Sequence, residues 1–269
     1  MDTKRTALIT GASAGIGKAF AEVFAGKGFN LVLTARREDR LQAIQKQLHE
    51  KYGVTVTLIP VDLHDPEAPQ RLFDRIHSEG LVIDALVNNA GYGVPGYFHN
   101  TSWDKQANFI QVLITVVAQL SHLFLPGMIE RGYGRIINVS SLNGVLPGSP
   151  GQTLYSGAKA FVIQFSQTLF LETEGTGVNV TAICPGFTYS EFHDVTGMRE
   201  AVSKKPSIMW MDAETVARQG YEAVMEGKHL LVNGRTNRFI ALLAKLLPNK
   251  MGLRLVAKST KDMRPVESV

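Results

Sequence analysis

Residues 10–17 read Thr-Gly-Ala-Ser-Ala-Gly-Ile-Gly and separate a short apolar run, TALIT, from a segment with helical periodicity, GKAFAEVFAGK. Glycine recurs at Gly11, Gly15 and Gly17, so backbone without Cβ atoms turns directly from a strand into a helix. Such a turn lets N–H groups and the positive end of the helix approach a pyrophosphate. Its position at the first strand-to-helix junction predicts a dinucleotide-binding fold, and a purely structural glycine turn is the alternative.

The rest of the chain repeats this alternation of strand and helix. Short apolar runs, among them NLVLT, RIINVSS and VNVTAICPG, alternate with segments of helical period such as EDRLQAIQKQLHEKY. Runs like LVLT and RIINV are apolar on both faces, which is typical of parallel strands covered by helices on each side. With right-handed crossovers, the pattern predicts an α/β fold, a single Rossmann-type doubly wound parallel sheet of about seven strands. We expect one domain over residues 1–269, although the length alone also permits two small domains.

Composition and charge limit the class of protein. Hydrophobic residues make up 45% of the chain and charged residues 19%, which fits a folded soluble domain rather than a disordered chain. The net charge of +4 comes from dispersed Lys and Arg residues, so a nucleic-acid partner is not expected. The seven histidines lack paired ligand spacing and predict no metal site. A single cysteine, Cys184, and the lack of a signal peptide or a long uninterrupted apolar span lead us to expect a cytoplasmic protein.

The end of the second predicted strand indicates which dinucleotide is bound. A carboxylate at this position would bind a free ribose 2′-hydroxyl, but the sequence reads Thr34-Ala35-Arg36-Arg37 and has no acid. The guanidinium of Arg36 suits a 2′-phosphate, with Arg37 as a second candidate, and Ser13 can add a hydroxyl to the same group. The sequence therefore predicts NADP(H) rather than NAD(H). Alternatively, both arginines are solvated residues that open the next helix.

Six motifs together resemble the short-chain dehydrogenase/reductase family in its classical form. They follow one another between Thr6 and Gly186 in the family's order. They are T-G-x-x-x-G-x-G (10–17), D-L (62–63), N-N-A-G (88–91), the serine in N-V-S-S, Y-x-x-x-K (155–159) and P-G (185–186). Within the family, NLVLTARREDRLQ and LFLPGM are similar to the branch of DltE-like and long-chain 3-oxoacyl or hydroxysteroid reductases. A Tyr-x-x-x-Lys pair alone would be weak, because chance supplies such pairs often.

The resemblance implies an oxidoreductase that uses NADP(H) to interconvert a ketone or aldehyde and an alcohol by hydride transfer. Tyr155 would act as general acid or base, because the ammonium of Lys159 brings the phenol closer to the operating pH. Ser141 would hydrogen-bond the substrate carbonyl, and it is preferred to Ser140 since the family's catalytic serine is followed by two residues and a glycine. The implied cofactor-binding residues are Gly11, Ser13, Gly15, Ile16, Gly17, Arg36, Asp62, Leu63, Asn89, Ala90, Gly91, Tyr155, Lys159, Pro185, Gly186 and Thr188.

Leu113 departs from the family's pattern. In the family, an asparagine in the long helix after the fourth strand helps to hold a water that connects the lysine to solvent. Counting back from LFLPGM or from Ser141 places Leu113 at this position. We hypothesise slower or differently routed reprotonation of Tyr155, unless the relay is dispensable in this chain. The departure also keeps a second class of function open, a catalytically weakened dinucleotide-binding regulator or scaffold with the same fold.

The substrate side of the molecule is less well defined by the sequence. Residues 193–211 lack periodicity after a strand end and are predicted to form a substrate lid, or else a plain surface excursion. The cluster Met209-Trp210-Met211 suits a hydrophobic ketone or acyl group, but such residues are also common in simple packing. The pocket is predicted to be lined by Val94, Asn143, Val145, Phe187, Phe192 and His193.

Two surfaces are candidates for partners. By the resemblance, the two longest helices form the interface of a homodimer or homotetramer. Residues 236–269 are predicted to be a C-terminal helical extension, apolar at first and then basic. Docking on the domain or on a second subunit is favoured for this extension, and an anionic membrane surface is the alternative.

Overall fold

The computed structural model describes residues 4–94, 96–192, 203 and 206–260, and its centre is a parallel sheet. The strands of this sheet are β1 (Thr6–Thr10), β2 (Asn30–Thr34), β3 (Val56–Leu58), β4 (Ala85–Asn88), β5 (Gly134–Val139), β6 (Val178–Cys184) and β9 (Leu230–Val232). These seven strands lie in the order β3-β2-β1-β4-β5-β6-β9. A separate short pair is formed by β7 (Phe187–Thr188) and β8 (Trp210–Met211). The predicted doubly wound sheet is confirmed.

Helices connect the strands and cover both faces of the sheet. They are α1 (Gly15–Gly26), α2 (Glu38–Tyr52), α3 (Ala68–Ser78), α4 (Trp103–Ile110), α5 (Val116–Glu130), α6 (Thr153–Glu172), α7 (Ala213–Met225), α8 (Arg235–Leu246) and α9 (Asn249–Thr260). A π-helical segment, Gln111–Thr115, joins α4 to α5 without a break. Short 3-10 turns occur at Phe98–Asn100, Leu142–Gly144 and Ser207–Met209.

The core consists of two apolar layers, one on each face of the sheet. In β1, Ala7 and Ile9 pack with Phe20 and Phe24 in one layer, whereas Leu8 belongs to the other. Side chains alternate along a strand, so a strand buried on both faces must be apolar at every position, as TALIT nearly is. Full burial of each large apolar side chain stabilises the fold by about 1.5–3 kcal/mol, so both layers are needed.

The helix from Trp103 to Glu130 is long and apolar enough to cross a membrane, judged by length and composition alone. The core helices of water-soluble folds satisfy the same criterion. Here its buried side chains, including Leu120, Phe124 and Met128, belong to the second apolar layer against the sheet. The strong hydropathy of this helix is therefore explained by packing on β4 and β5.

The carboxyl ends of the parallel strands meet at one edge of the sheet. This edge carries the loops that follow β1, β3, β4, β5 and β6. These loops contain every predicted motif except the Tyr-Lys pair, which lies in α6. Of the predicted lid, the described part comprises a 3-10 turn and β8, while residues 193–202, 204 and 205 lie outside the described residues. The predicted C-terminal extension contains α8 and α9.

Candidate active site

The glycine turn after β1 is closed by backbone contacts. Gly11 and Gly15 adopt left-handed φ angles of +66° and +54°. A Cβ atom built on Gly17 would lie 2.3 Å from the carbonyl oxygen of Gly11. The N-terminus of α1 has no side-chain cap and no acidic residue in its first turn, so its N–H groups are left for an external acceptor. This cradle fits the pyrophosphate of a dinucleotide.

The two turns of the predicted cofactor site, TGASAGIG and NNAG, are bonded to each other. The Thr10 hydroxyl accepts hydrogen bonds from the backbone N–H groups of Asn89 and Ala90, both at 3.0 Å. In return, Asn89 Nδ2 donates to the carbonyl oxygens of Thr10 at 2.9 Å and Gly11 at 3.3 Å. The residues predicted from TGASAGIG and from NNAG therefore form one structural unit.

The basic end of the cofactor cleft contains a network of ion pairs that the sequence did not predict. Arg37, not Arg36, donates to Ser13 Oγ, from Nη2 at 3.0 Å and from Nε at 3.3 Å. Arg37 also pairs with Glu191 at 2.9 Å, and Arg40 pairs with the same carboxylate at 2.5 Å. These two guanidinium groups lower the pKa of Glu191. We call Arg37, Arg40 and Glu191 the clasp, and nothing in the sequence indicated its carboxylate.

Arg36 stays exposed beside this clasp, and its charge acts on Asp62 after β3. Burial raises the pKa of Asp62, but hydrogen bonds from the His64 backbone at 3.1 Å and from its Nδ1 at 2.8 Å outweigh it and lower the pKa overall. Leu63 is buried in the second apolar layer. Asp62 therefore remains an ionised acceptor after the carboxyl end of β3.

The predicted catalytic residues lie at the end of β5 and in the first turns of α6. Ser141 follows β5, and its Oγ accepts a hydrogen bond from the Asn143 N–H at 3.2 Å. Lys159 Nζ lies 5.8 Å from the centre of the Tyr155 ring and donates to the Val139 carbonyl at 2.8 Å. Burial lowers the pKa of Lys159 to about 8, opposed by the nearby Cys184 thiol. A buried ammonium is thus held beside the phenol.

The neighbouring Ser140 has a different task. It is buried, and its hydroxyl donates to the Lys159 carbonyl at 2.6 Å. This bond ties β5 to the helix that carries Tyr155 and Lys159. Ser141, which is only partly buried, is the serine with a side chain left for a ligand.

A buried polar layer behind these residues was not anticipated. Asn88 Nδ2 donates to Asn138 Oδ1 at 2.8 Å and to Ser121 Oγ at 3.2 Å. Asn138 Nδ2 donates in turn to Ser166 Oγ at 2.9 Å. These bonds connect β4, β5, α5 and α6, so they set the position of α6 relative to the sheet. Such a network is costly to break because its members are buried.

A small pocket that is open to solvent lies beside Tyr155. Of the residues predicted to line the substrate site, Val94 lies in its wall, and Asn143 reaches the wall through a 2.8 Å bond to Gln152 Oε1. The Phe192 ring is 5.8 Å from the Tyr155 ring. The other lining residues are Gly96, Phe98, Gln106, Phe109, Gly151, Gln152, Thr153 and Leu154.

Two of the remaining predicted lining residues, Val145 and Phe187, are not part of this pocket wall. Val145 packs against a small buried cluster that contains Cys184. Phe187 contacts the Trp210 ring at 5.5 Å, and Trp210 stacks on Tyr189 at 4.6 Å, so the predicted Met-Trp-Met cluster contributes to packing. His193 lies outside the described residues. The sequence analysis did not predict Gln106, Phe109 or Gln152 as lining residues. Only Gln152 had a signal in the sequence, namely its closeness to the Tyr-Lys motif.

Leu113, the residue at the relay position, lies inside the π-helical segment. It is fully buried and close to Gly91, where a built Cβ atom would meet Leu113 Cγ at 3.8 Å. Its side chain offers no hydrogen bond. Segments of π helix recur at functional sites, and their backbone carbonyls depart from the regular α-helical pattern.

The family model described as short chain dehydrogenase matches residues 5–200. This chain belongs to the short-chain dehydrogenase family. The resemblance read from the motifs is confirmed, and the protein is an oxidoreductase of this family that works with a nicotinamide dinucleotide and a small-molecule substrate.

Relatives of this short-chain dehydrogenase cover nearly all of its length. A very-long-chain 3-oxoacyl-CoA reductase from Anas platyrhynchos is 34% identical over 265 residues, which is 96% of this chain and 80% of the relative. The structure of a 7beta-hydroxysteroid dehydrogenase has a TM-score of 0.82 at 28% identity and covers 94% of this chain and 96% of that one. A short-chain dehydrogenase from Sphingobium yanoikuyae in complex with NADPH has a TM-score of 0.79 at 28% identity, with 98% of both chains covered.

Proposed function

We propose that this short-chain dehydrogenase is an NADP(H)-dependent carbonyl reductase or alcohol dehydrogenase with Tyr155 as general acid and base. The observation that carries the proposal is the position of Lys159 Nζ, buried and 5.8 Å from the centre of the Tyr155 ring. A cation so close favours the phenolate, which makes the phenol a better proton donor near neutral pH. The proposed substrate site is the solvent-open pocket beside Tyr155.

Ser141, Tyr155 and Lys159 each have a separate role in the proposed carbonyl reduction. The dinucleotide supplies the hydride to the carbonyl carbon when it is bound. Ser141 Oγ already accepts from the Asn143 N–H, so its own hydrogen is left to bind the carbonyl oxygen. Tyr155 donates the proton to the developing alkoxide. Lys159, with its pKa lowered by burial to about 8, stays protonated at neutral pH and stabilises the tyrosinate that forms.

The preference for NADP(H) rests on the basic end of the cleft. No acidic residue stands at the end of β2 to bind a free 2′-hydroxyl, whereas Arg36, Arg37 and Ser13 offer donors to a 2′-phosphate. The bound NADPH of the Sphingobium yanoikuyae relative supports the same choice. Arg36→Ala should raise the KM for NADPH by about 10-fold or more and change that for NADH little. Equal losses for both cofactors would show that Arg36 does not recognise the 2′-phosphate.

Leu113 modifies the route by which Tyr155 regains its proton. With no side-chain donor or acceptor at this position, a water is left to the backbone carbonyls of the π-helical segment. Leu113→Asn is expected to raise turnover and to change its solvent isotope effect. Unchanged values for both would mean that the relay is dispensable in this chain.

We also propose a homodimer or homotetramer built on α5 and α6. Ile129 on α5 and Phe161 and Leu171 on α6 are exposed large apolar side chains, which suit a subunit interface.

The substrate is proposed to be mostly apolar, in line with Val94, Phe98, Phe109 and Leu154 in the pocket wall. The names of the relatives, a very-long-chain 3-oxoacyl-CoA reductase and a hydroxysteroid dehydrogenase, agree with this class.

The test is NADPH oxidation against a panel of ketones, with Tyr155→Phe as the matched control. The variant should lose about 100- to 10,000-fold in turnover while it still binds NADPH, because only the proton donor is removed. Retained turnover in the variant would refute the role of Tyr155.

The second candidate, a dinucleotide-binding regulator or scaffold, is favoured by Leu113 at the relay position. Its expected outcome is NADPH binding by the wild type without turnover of any ketone in the panel.

A further inference from the structure

Two glutamines beside Tyr155 are more deeply buried than their chemistry requires. Gln106 is 5% exposed and Gln152 is 7% exposed, and both line the pocket. Gln106 lies one turn before Phe109 on the same face of α4, and the Phe109 ring is 6.4 Å from that of Tyr155. Gln152 precedes Tyr155 by three residues at the start of α6. Both glutamines therefore line the same pocket as Tyr155.

The hydrogen-bonding capacity of these amides is only partly used. Gln152 Oε1 accepts from Asn143 Nδ2 at 2.8 Å, which orients the amide and leaves Nε2 as a donor. Among the described residues, the Asn143 bond is the one side-chain hydrogen bond found for these two glutamines, and both residues border the pocket. Both amides line the pocket, so a ligand group that accepts a hydrogen bond from them would be bound in preference to one that cannot.

We propose that Gln106 and Gln152 bind a second, uncharged hydrogen-bonding group of the substrate, next to the carbonyl that is reduced. No charged side chain occurs among the described residues of the pocket wall, so a carboxylate or sulfonate does not fit. A neutral carbonyl fits, because it accepts from an amide N–H. The substrate class is then a 3-oxoacyl ester, thioester or amide. This inference rests on the proposed carbonyl reductase activity.

The experiment compares two substrates in matched variants. S-acetoacetyl-N-acetylcysteamine carries the second carbonyl, and octan-2-one lacks it. In Gln152→Leu and Gln106→Leu, kcat/KM for the thioester should fall about 10- to 100-fold, with less than about 3-fold change for octan-2-one. Gln42→Leu is the control, because Gln42 is exposed on α2 and bonds only to Glu38.

Equal losses for the two substrates, or no loss for the thioester, would overturn the role of the glutamines. Failure of the wild type to reduce any carbonyl compound would instead contradict the proposed function. The two failures are therefore distinguishable.

A different observation concerns α8, whose outer face is apolar. Phe239, Leu242, Leu243 and Leu246 follow the helical i, i+3, i+4, i+7 pattern and are between 43% and 72% exposed. The opposite face, with Asn237 and Ala241, is buried on the domain. We call these four residues the apolar stripe. Docking of α8 on its own domain therefore leaves the apolar stripe uncovered.

The apolar stripe lies in a segment whose charged residues are all basic. From residue 235 to 260 the chain has no acidic residue, and on α9 the exposed Met251 and Leu255 lie beside a basic row at i, i+4 and i+8. The basic residues of the two helices are Arg235, Arg238, Lys245, Lys250, Arg254 and Lys258. A twofold contact between two copies would place these like charges against one another. An anionic lipid surface complements both the charge and the apolar stripe.

The geometry points to α8 and α9 as a docking surface for an anionic lipid bilayer. The full-length protein should sediment with phosphatidylcholine vesicles that contain phosphatidylserine at low salt, and not with phosphatidylcholine alone. High salt should release it, because surface charges are screened. Two double variants, Leu242→Glu with Leu246→Glu and Arg254→Glu with Lys258→Glu, should each weaken binding about 10-fold or more.

Val82→Glu is the control, since Val82 is an exposed apolar residue that precedes β4, outside these helices. Two outcomes would overturn this inference. One is the absence of binding to phosphatidylserine vesicles at low salt. The other is a loss of oligomer in the Leu242→Glu, Leu246→Glu variant, seen by sedimentation velocity, with vesicle binding unchanged, which would make the apolar stripe a subunit interface.

Discussion

The glycine turn after β1 and the pocket beside Tyr155 are both built from loops at the carboxyl ends of the strands, but different atoms form them. In the turn, main-chain atoms touch, and a Cβ atom on Gly17 would lie 2.3 Å from the Gly11 carbonyl oxygen. In the pocket, the wall is made of side chains from α4, the start of α6 and the loop before it. The cofactor end therefore tolerates few residue types, whereas the substrate end can change its chemistry without changing the backbone.

The largest effect is expected from adding one methyl group to the glycine turn after β1. Gly17→Ala should lower the free energy of unfolding by about 3 kcal/mol or more, because the contact is with backbone that cannot move aside. NADPH binding should be lost with it. Urea unfolding and cofactor titration measure both, and a variant with wild-type stability would show that the turn is less rigid than its contacts indicate.

Lys159 lies between the cofactor end and the substrate end of the site, and burial of its ammonium group lowers the free energy of unfolding. Its pKa is about 8 in the folded protein and 10.5 when unperturbed, so between these pH values the unfolded chain binds a proton that the folded chain does not. The free energy of unfolding therefore rises with pH through this window, and below it the folded state carries a penalty of about 3 kcal/mol.

Lys159→Met is expected to remove this penalty. The variant should be more stable than the wild type by up to about 3 kcal/mol at pH 7, with a smaller difference near pH 10.5, while losing activity. Urea unfolding of both proteins without cofactor, across this range, is the measurement. Parallel stability profiles would mean that the ammonium is solvated better than its burial indicates.

The clasp offers a milder test at the cofactor end. Glu191→Gln removes the carboxylate that occupies Arg37 and Arg40, so both guanidinium groups become available to a 2′-phosphate. The groups are partly exposed, so the Kd for NADPH should fall by no more than about 5-fold, with NADH unaffected. Fluorescence titration with each cofactor measures this. Tighter binding of both cofactors would show that Glu191 acts on the loop rather than on the phosphate site.

The smallest effect is expected at an exposed glycine of α6. A Cβ atom at Gly157 would meet no atom within 4 Å. Gly157→Ala should raise the free energy of unfolding by about 0.5–1 kcal/mol, because alanine loses less backbone entropy in a helix. Turnover should be retained. A destabilised variant would indicate that this face is covered in the oligomer.

The same contrast explains how far the sequence alone could predict the structure. The sheet was predictable because strands such as β1 and β5 are apolar at nearly every position, a local pattern. The glycine turn and NNAG were predictable because residue type restricts backbone geometry. Arg37 pairs instead with Glu191, 154 residues away, and no local pattern indicates such a pair. The links of Asn88 to Asn138 and of Asn143 to Gln152 likewise depend on how distant elements pack.

The π-helical segment between α4 and α5 has a geometric effect on the pocket. An additional residue in a turn rotates everything beyond it by about 100° around the helix axis. Leu120 and Phe124 anchor one side of this segment to the sheet, and Gln106 and Phe109 form the pocket wall on the other. A one-residue deletion here would rotate α4 about its axis while α5 stayed in place. Another side chain would then replace the Gln106 amide in the pocket wall. An insertion or deletion at this point would thus change the side chains of the pocket wall while the glycine turn stayed as it is.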